Sequence, residues 1–173
     1  MAERKIILLV SGEIASGKTT LANKLEERFS FKILKTRDAL IELANKKFKG
    51  ASPTRSMLQK FGASLDEKNI GKWVLDYFQN DFGFSFEKNS CFVVDAIRII
   101  EQVKHFRQAY SFSVCHLHVT ASKEILKTRF LEREEIRYLA KEAALAKYEE
   151  AKKDPTENQV HTLASEADLV INT

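Results

Sequence analysis

The sequence predicts a single three-layer α/β/α domain built on a five-stranded parallel sheet. Two observations lead to this fold class. Short apolar runs of strand length alternate with longer stretches in which apolar residues recur at helical spacing. The chain has 173 residues, which suits one domain, and its 6 glycines and 2 prolines leave little room for disordered linkers. Strands that alternate with helices form a parallel sheet with helices on both faces.

The N-terminal half is predicted to hold two strands and four helices. The first strand is a continuous apolar run, as expected for a strand covered on both faces, and a glycine-containing loop leads from it into a helix. Gly50-Ala51-Ser52-Pro53 interrupts the pattern after the second helix. In order, the predicted elements are a strand at 6–10, a helix from about 21 to 29, a strand at 31–36 and helices at 37–48, 54–61 and 66–79.

The C-terminal half is predicted to hold the other three strands. A loop at 81–89 precedes them, and the longest helical tract is interrupted near 133–137. The elements are a strand at 91–94, a helix at 101–110, a strand at 112–119, a helical tract at 122–153, a short helix at 157–164 and a strand at 169–172. The sequence ends directly after this strand, where a covering helix would normally follow. We therefore expect either a compact protein or one domain of a longer chain.

Charge and composition narrow the classes of function. The 28 basic and 24 acidic residues give a net charge of +4, too small an excess to indicate nucleic-acid binding and compatible with a cleft for phosphorylated substrates. No apolar stretch reaches membrane-spanning length and no signal peptide is visible, so we expect a cytoplasmic protein without a membrane partner. Cys91 and Cys115 lie in apolar strand-like runs and are interpreted as reduced core residues.

The strongest motif is the segment from Gly12 to Thr19, which matches G-x-x-x-x-G-K-[ST] between a buried strand and an amphipathic helix. In such a phosphate-binding loop (P-loop), backbone amides surround the phosphates and the helix adds its positive N-terminal end. Lys18 is predicted to contact the β- and γ-phosphates of ATP, and Thr19 to hold Mg²⁺. The alternative is a glycine-containing turn with an incidental lysine. The predicted nucleotide-binding residues are Gly12, Ala15, Ser16, Gly17, Lys18, Thr19 and Thr20.

An aspartate ends the third predicted strand, in the run Phe92-Val93-Val94-Asp95. The carboxyl ends of parallel strands form the ligand crevice of an open sheet, so Asp95 is predicted to face the P-loop. There it would hold a metal-bound water or orient the acceptor, and it is a predicted metal and catalytic residue. The alternative is that its side chain caps the following turn.

The segment after Asp95 resembles nucleoside monophosphate kinases of the adenylate kinase type. Asp95-Ala96-Ile97-Arg98, followed by Gln102, is similar to the family segment in which an aspartate and an arginine flank the acceptor phosphate. Thr36-Arg37-Asp38-Ala39-Leu40 resembles the segment that opens the monophosphate-binding helix. The resemblance implies acceptor contacts from Asp38, Arg98 and Gln102, while Ile41 stands where the family has a further arginine.

A helical arm and a lid extend this resemblance. Residues 54–62, with Trp73, look like the substrate arm of phage-type deoxynucleoside monophosphate kinases, which implies a helical arm over residues 37–80 and an acceptor contact from Arg55. Arg55 could equally be a surface arginine, and Trp73 is interpreted as a core aromatic in preference to a base-stacking platform.

Arg129, Arg133 and Arg137 recur every four residues on one helical face. They resemble the arginine-bearing lid of the same family, here residues 129–140, and imply catalytic roles for Arg133 and Arg129. A solvated, salt-bridged helix is the competing explanation. Residues 167–172 resemble the last strand of dephospho-coenzyme A kinases.

The function predicted from the sequence is phosphoryl transfer from ATP·Mg²⁺ to a nucleoside or deoxynucleoside monophosphate, in a monomer or homodimer. The first alternative keeps the chemistry and changes the acceptor to dephospho-coenzyme A or another small alcohol. The second is a non-catalytic nucleotide-binding module, which Ile41 favours. His116 and His118 share one face of a predicted strand and are interpreted as ordinary strand residues.

Overall fold

The structure is a computed structural model, which describes residues 6–48, 53–80, 90–133, 136, 138–153 and 155–173. Only the backbone is described for residues 55, 112, 155–158 and 161. The predicted loop at 81–89 and most of the predicted break at 50–53 lie outside the described residues. None of the helices in the described part of the chain is long and apolar enough to cross a membrane.

Strands and helices alternate along the described chain. The strands are β1 (Ile6–Gly12), β2 (Lys32–Lys35), β3 (Cys91–Asp95), β4 (Val114–Thr120) and β5 (Leu169–Asn172). The helices are α1 (Lys18–Phe29), α2 (Thr36–Phe48), α3 (Arg55–Asn69), α4 (Trp73–Asn80), α5 (Ile100–Tyr110), α6 (Lys123–Leu131), α7 (Lys141–Lys152) and α8 (Pro155–Ser165), and a 3₁₀ turn spans Ser111–Ser113.

The five strands form one parallel sheet in the order β2-β3-β1-β4-β5. The predicted three-layer fold is confirmed. Because β1 occupies the centre, the P-loop that follows it lies between the carboxyl ends of β3 and β4. The register opposes Val10 to Asp95, and Asp95 to Lys35, so the ends of β1, β3 and β2 lie side by side.

Apolar packing on the two faces of the sheet keeps this edge in place. On one face α1 packs through Ala22 against Val10, Val93 and Val119. The other face carries the larger core, in which aromatic rings from α4, β3 and α5 meet edge to face, with Phe78 centred 5.2 Å from Phe92 and 5.3 Å from Phe106. These residues are almost fully buried.

The predicted interruption between residues 61 and 66 is wrong. α3 continues through Gly62 and ends at Asn69, and α4 begins at Trp73. Leu40 packs against this position in the helix: a Cβ on Gly62 would lie 3.3 Å from the Leu40 Cδ1. The turn comes instead at Ile70 and Gly71, both with positive φ (52° and 74°), the backbone that ends a helix.

Other boundaries differ by a few residues. The predicted strand at 112–119 begins at Val114, because Ser111 has φ 45° and opens the 3₁₀ turn. The predicted interruption of the long helical tract is confirmed, since α6 ends at Leu131 and α7 begins at Lys141.

Candidate active site

The P-loop follows β1 without interruption and leads directly into α1. Gly12, the last residue of β1, has φ 144°, and a Cβ added to it would lie 2.1 Å from the Val119 carbonyl oxygen. Only glycine fits between the loop and β4. The backbone then turns through Ala15, with φ 65°, and Gly17 precedes the first turn of α1. The N-terminal end of this helix therefore points into the loop, as an anion-binding site requires.

The charged ammonium group of Lys18 lies against the backbone of the P-loop. Its ammonium donates hydrogen bonds to the carbonyl oxygens of Gly12 (2.8 Å) and Glu13 (2.6 Å). These carbonyls fix the end of a long, flexible side chain at the mouth of the loop. A strongly hydrated point charge in this position suits phosphate oxygens.

The P-loop and the end of β3 are joined by a hydrogen bond from the Thr19 hydroxyl to a carboxylate oxygen of Asp95, at 2.8 Å. Asp95 is only 8% exposed, so its carboxylate faces inward to the loop. A hydroxyl and a carboxylate are the hard oxygen ligands that Mg²⁺ takes in proteins, and the residues present therefore fit this ion. The sequence prediction that Asp95 faces the P-loop agrees with this geometry.

The segment after Asp95 is hydrogen-bonded on one side to Thr36, which directly follows β2, and on the other side to Val10 of β1. The Thr36 hydroxyl accepts a hydrogen bond from the Ala96 N–H (3.1 Å) and lies 3.0 Å from the Ala96 carbonyl oxygen, to which it donates. The Ile97 N–H donates to the Val10 carbonyl oxygen at 2.8 Å. Thr36 was not among the residues predicted to support the segment after Asp95. A hydroxyl at the carboxyl end of a strand, beside an acidic strand end, is the signal that could have found it.

The predicted acceptor residues Arg98 and Gln102 occupy different environments. Arg98 is partly exposed, and among the described residues its guanidinium has no hydrogen-bond or ion-pair partner. Gln102 is 1% exposed, and its amide accepts from the Arg98 N–H (2.9 Å) and donates to Asp66 (3.1 Å). Both ends of the Gln102 amide are therefore hydrogen-bonded within the protein, and its contact with the acceptor stays a prediction.

Asp66 and Trp73 complete this group. One carboxylate oxygen of Asp66 accepts from both Gln102 and the Trp73 indole N–H, the latter at 2.7 Å. Burial raises the pKa of Asp66, although both hydrogen bonds and the nearby charge of Arg98 act in the opposite direction. Trp73 is 5% exposed, so it belongs to the core, as the sequence suggested. Nothing in the sequence pattern identified Asp66.

The other predicted acceptor residues are Asp38 and Arg55. Asp38 is exposed and lines a cavity of about 280 Å³ beside β2, together with Glu26, Lys35 and Tyr77. The cavity has no P-loop residue among its lining residues. The backbone of Arg55 opens α3, and its side chain is outside the description.

Residues of the predicted lid lie on the P-loop side of the site. Arg129 donates to the Thr173 hydroxyl at 2.7 Å, and that hydroxyl lies 3.2 Å from the Ser16 carbonyl oxygen. The Arg133 guanidinium lies over the Phe130 ring, 5.1 Å from its centre.

Phe130 belongs to an apolar cluster with residues 136, 144, 148 and 151, and P-loop residues Ile14 and Ala15 pack against it. The structure thus places both lid arginines on helix α6 and its end, next to the phosphate loop.

The remaining predicted nucleotide-binding residues differ in accessibility. Thr20 is exposed on the first turn of α1. Ser16 is fully buried, and its hydroxyl has no hydrogen-bond partner within the described part of the chain. Among the predicted site residues, described hydrogen bonds join Thr19 to Asp95, Lys18 to Gly12, and Arg98 to Gln102.

A buried polar cluster of Ser11, His116 and His118 lies beneath the P-loop. The two histidines were predicted to be ordinary strand residues. The Ser11 hydroxyl lies 2.7 Å from Nε2 of His116 and 2.9 Å from Nδ1 of His118. All three side chains are at most 3% exposed. Burial lowers the pKa of His116. A strand serine next to the P-loop and two histidines on one strand face become a network only when β1 and β4 pair.

The fold is shared with solved structures at low sequence identity. A protein from Thermus thermophilus aligns with a TM-score of 0.56 and 18% identity over 98% of this chain and 89% of its own. A shikimate kinase from Bacteroides thetaiotaomicron aligns with a TM-score of 0.52 and 9% identity over 96% and 86%. An uncharacterized protein from Eubacterium ventriosum aligns with a TM-score of 0.53 and 16% identity over 97% and 88%. No protein-family model and no curated protein sequence matches the chain.

Proposed function

We propose that the chain is an ATP- and Mg²⁺-dependent kinase that phosphorylates a small anionic molecule. The observation that carries the proposal is the 2.8 Å hydrogen bond between Thr19 and Asp95. It joins the residue that ends the P-loop motif to the acidic end of the neighbouring strand, which are the two halves of a metal–phosphate site. The similarity in fold to a shikimate kinase supports the same chemistry.

The residues have separate roles in this mechanism. The P-loop amides and the N-terminus of α1 hold the phosphates, and Lys18 neutralises charge on the transferred phosphoryl group. Thr19 and Asp95 would hold Mg²⁺, directly or through water, and the ion would supply positive charge that offsets the negative charge of the phosphates. Catalysis then consists of positioning and charge neutralisation, without a covalent enzyme intermediate.

Transfer forms a bond between an acceptor oxygen and the γ-phosphorus, and it breaks the bond from that phosphorus to the β–γ bridging oxygen. ADP is the leaving group. Asp95, which is hydrogen-bonded to Thr19 of the P-loop, would orient the acceptor, while Arg133 and Arg129 on the proposed lid would stabilise the charge of the transferred group.

For the acceptor we propose a nucleoside or deoxynucleoside monophosphate. The support is the Asp95-Ala96-Ile97-Arg98 segment together with the Arg98 guanidinium, which has no partner among the residues that the structure describes and can bind a phosphate with two parallel hydrogen bonds. A hydroxy acid is the second candidate, favoured by the fold shared with a shikimate kinase. Both acceptors present an anion to Arg98 and an oxygen nucleophile to the P-loop.

The test is ADP production from ATP·Mg²⁺ with a panel of nucleoside monophosphates, their deoxy forms, dephospho-coenzyme A and shikimate. Lys18→Ala is expected to lower turnover by about 100-fold or more, because it removes the cation at the transferred phosphoryl group. Lys24→Ala is the matched control, since Lys24 is an exposed lysine on the same helix. It should retain wild-type turnover and the same melting temperature.

An acceptor that raises ADP release well above the water background would establish the kinase and name its substrate class. Wild-type turnover in Lys18→Ala would contradict the assignment of the site. Tight ATP binding without a response to any acceptor would favour the non-catalytic nucleotide-binding module.

A further inference from the structure

Three helices meet behind Arg98 through a continuous chain of hydrogen bonds. Asp66 comes from α3, Trp73 from α4 and Gln102 from α5. The Gln102 Oε1 accepts from the backbone N–H of Arg98 at 2.9 Å, and its Nε2 donates to the Asp66 Oδ1 at 3.1 Å. The same Oδ1 accepts from the Trp73 indole at 2.7 Å. The path from Asp66 to Arg98 thus runs through one amide side chain.

Because these hydrogen-bonded side chains are buried, the loss of one hydrogen bond among them costs free energy. Gln102 is 1% and Trp73 5% exposed, so water cannot readily replace a missing partner. The packing around Gly71 is tight as well: a Cβ there would lie 3.0 Å from the Gln102 Cγ and 2.8 Å from the Ile99 Cδ1. Gln102 is therefore confined from two sides, by its hydrogen bonds and by the turn between α3 and α4.

The backbone of Arg98 is fixed by this chain, while its guanidinium has no partner among the described residues. A side chain that leaves a fixed backbone position samples fewer orientations than one on a free loop, and less entropy is lost when it binds. The nearby carboxylate of Asp66 interacts with Arg98 through charge without forming an ion pair among the described contacts.

We propose that Asp66 and Gln102 are positioning residues for the acceptor: they hold the Arg98 backbone so that its guanidinium meets the anionic group of the acceptor. This inference rests on the proposed function. It gives the predicted helical arm a specific role, since Asp66 of α3 would orient the acceptor-binding arginine through Gln102. Trp73 shares the carboxylate but has no link to Arg98 apart from it.

The first test follows the Arg98 amide and needs no enzymatic activity. Hydrogen exchange by NMR on the full chain should show a protected Arg98 N–H that exchanges at least about fivefold faster in Gln102→Ala and Asp66→Ala, as expected for the loss of about 1 kcal/mol. The Ile97 N–H, bonded to the Val10 carbonyl, is the internal control and should keep its protection. Equal acceleration of both amides, or none at Arg98, would overturn the proposal.

Matched variants separate the link from the general stability of the arm. Trp73→Phe removes the indole donor but leaves the Asp66–Gln102–Arg98 path, so it should lower the melting temperature without changing Arg98 exchange relative to Ile97. Asp66→Asn keeps an oxygen that accepts from Gln102 and should behave as wild type. Arg98 exchange that accelerates as much in Asp66→Asn or Trp73→Phe as in Asp66→Ala would contradict the hydrogen-bonded link.

The second test uses the acceptor found in the turnover panel. Asp66→Ala and Gln102→Ala should each raise the KM for the acceptor about tenfold, with the KM for ATP unchanged, and the double variant should be no worse than either single one. A rise in both KM values, or additive effects, would overturn the positioning role. If no acceptor is found, the proposed function fails, and the exchange experiment still decides whether Asp66 and Gln102 hold Arg98.

Discussion

The proposed nucleotide side and the proposed acceptor side of this site meet at the same edge of the sheet, but they are constructed differently. On the nucleotide side, Lys18 bonds to carbonyls five and six residues away, and Thr19 reaches Asp95 on the adjacent strand. On the acceptor side, Asp66, Trp73 and Gln102 come from three separate helices.

This difference affects how each side can be altered. The conformation of the P-loop depends on backbone geometry, and the Val119 carbonyl oxygen of β4 leaves no room for a side chain at Gly12. The proposed acceptor side depends on the side chains of Asp66, Trp73 and Gln102, which bond to one another and to the Arg98 N–H, so a conservative substitution can preserve a hydrogen bond. We therefore expect backbone-directed changes to have the largest effects near the P-loop and the smallest in the arm.

The largest expected effect is that of Gly12→Ala. The new Cβ would lie 2.1 Å from the Val119 carbonyl oxygen at a φ of 144°, so β1 and β4 would have to separate at the loop. Overpacking and backbone strain together should lower the free energy of unfolding by about 3 kcal/mol or more. Urea denaturation measures this loss, and isothermal titration should show weaker ATP binding. A variant as stable as wild type would break the comparison.

The effect of pH on the free energy of unfolding should be intermediate in size and should arise from the histidine cluster beneath the P-loop. Burial lowers the pKa of His116, so the unfolded chain takes up a proton more readily than the folded one. The contribution of neutral His116 to the free energy of unfolding is therefore full above the ordinary histidine pKa of about 6.5. It is lost as pH falls below that value, by at most about 1.4 kcal/mol per pH unit. The groups near His116 are Ser11, Arg107, Glu166 and Asp168.

Urea denaturation between pH 7 and pH 5 measures this slope. His116→Gln should lose less stability over this interval than wild type, whereas His105→Gln, which replaces a histidine on α5, should keep the wild-type loss. Identical slopes in wild type and His116→Gln would show that the buried cluster does not carry the pH dependence.

The smallest expected effect comes from the same glycine-to-alanine change in the arm. Gly62 lies inside α3, where alanine is favoured by about 1 kcal/mol, but its Cβ would approach a methyl group of the buried Leu40 to 3.3 Å. The two contributions oppose each other, and the free energy of unfolding should change by less than about 0.5 kcal/mol. A loss comparable to that of Gly12→Ala would remove the contrast between the two regions.

Particular residues show how far sequence reasoning reached. The three-layer fold, the P-loop and the approach of Asp95 to it were predicted, because periodicity and strand-end position are local properties of the chain. The end of α3 was misplaced, because Gly62 looks like a helix breaker until Leu40 is seen against it. No local pattern indicated that Gln102 is buried and hydrogen-bonded to the Arg98 N–H, because that contact depends on how α5 packs.

The sequence by itself determined the alternation of strands and helices and the eight-residue loop that suits phosphate, since both depend on neighbours within a few residues. Tertiary structure alone decided the strand order, the cluster of Ser11 with His116 and His118, and the path from Asp66 to Arg98. Partners such as residues 11 and 116 are about a hundred positions apart, and no local pattern records which distant side chain will complete a buried hydrogen bond.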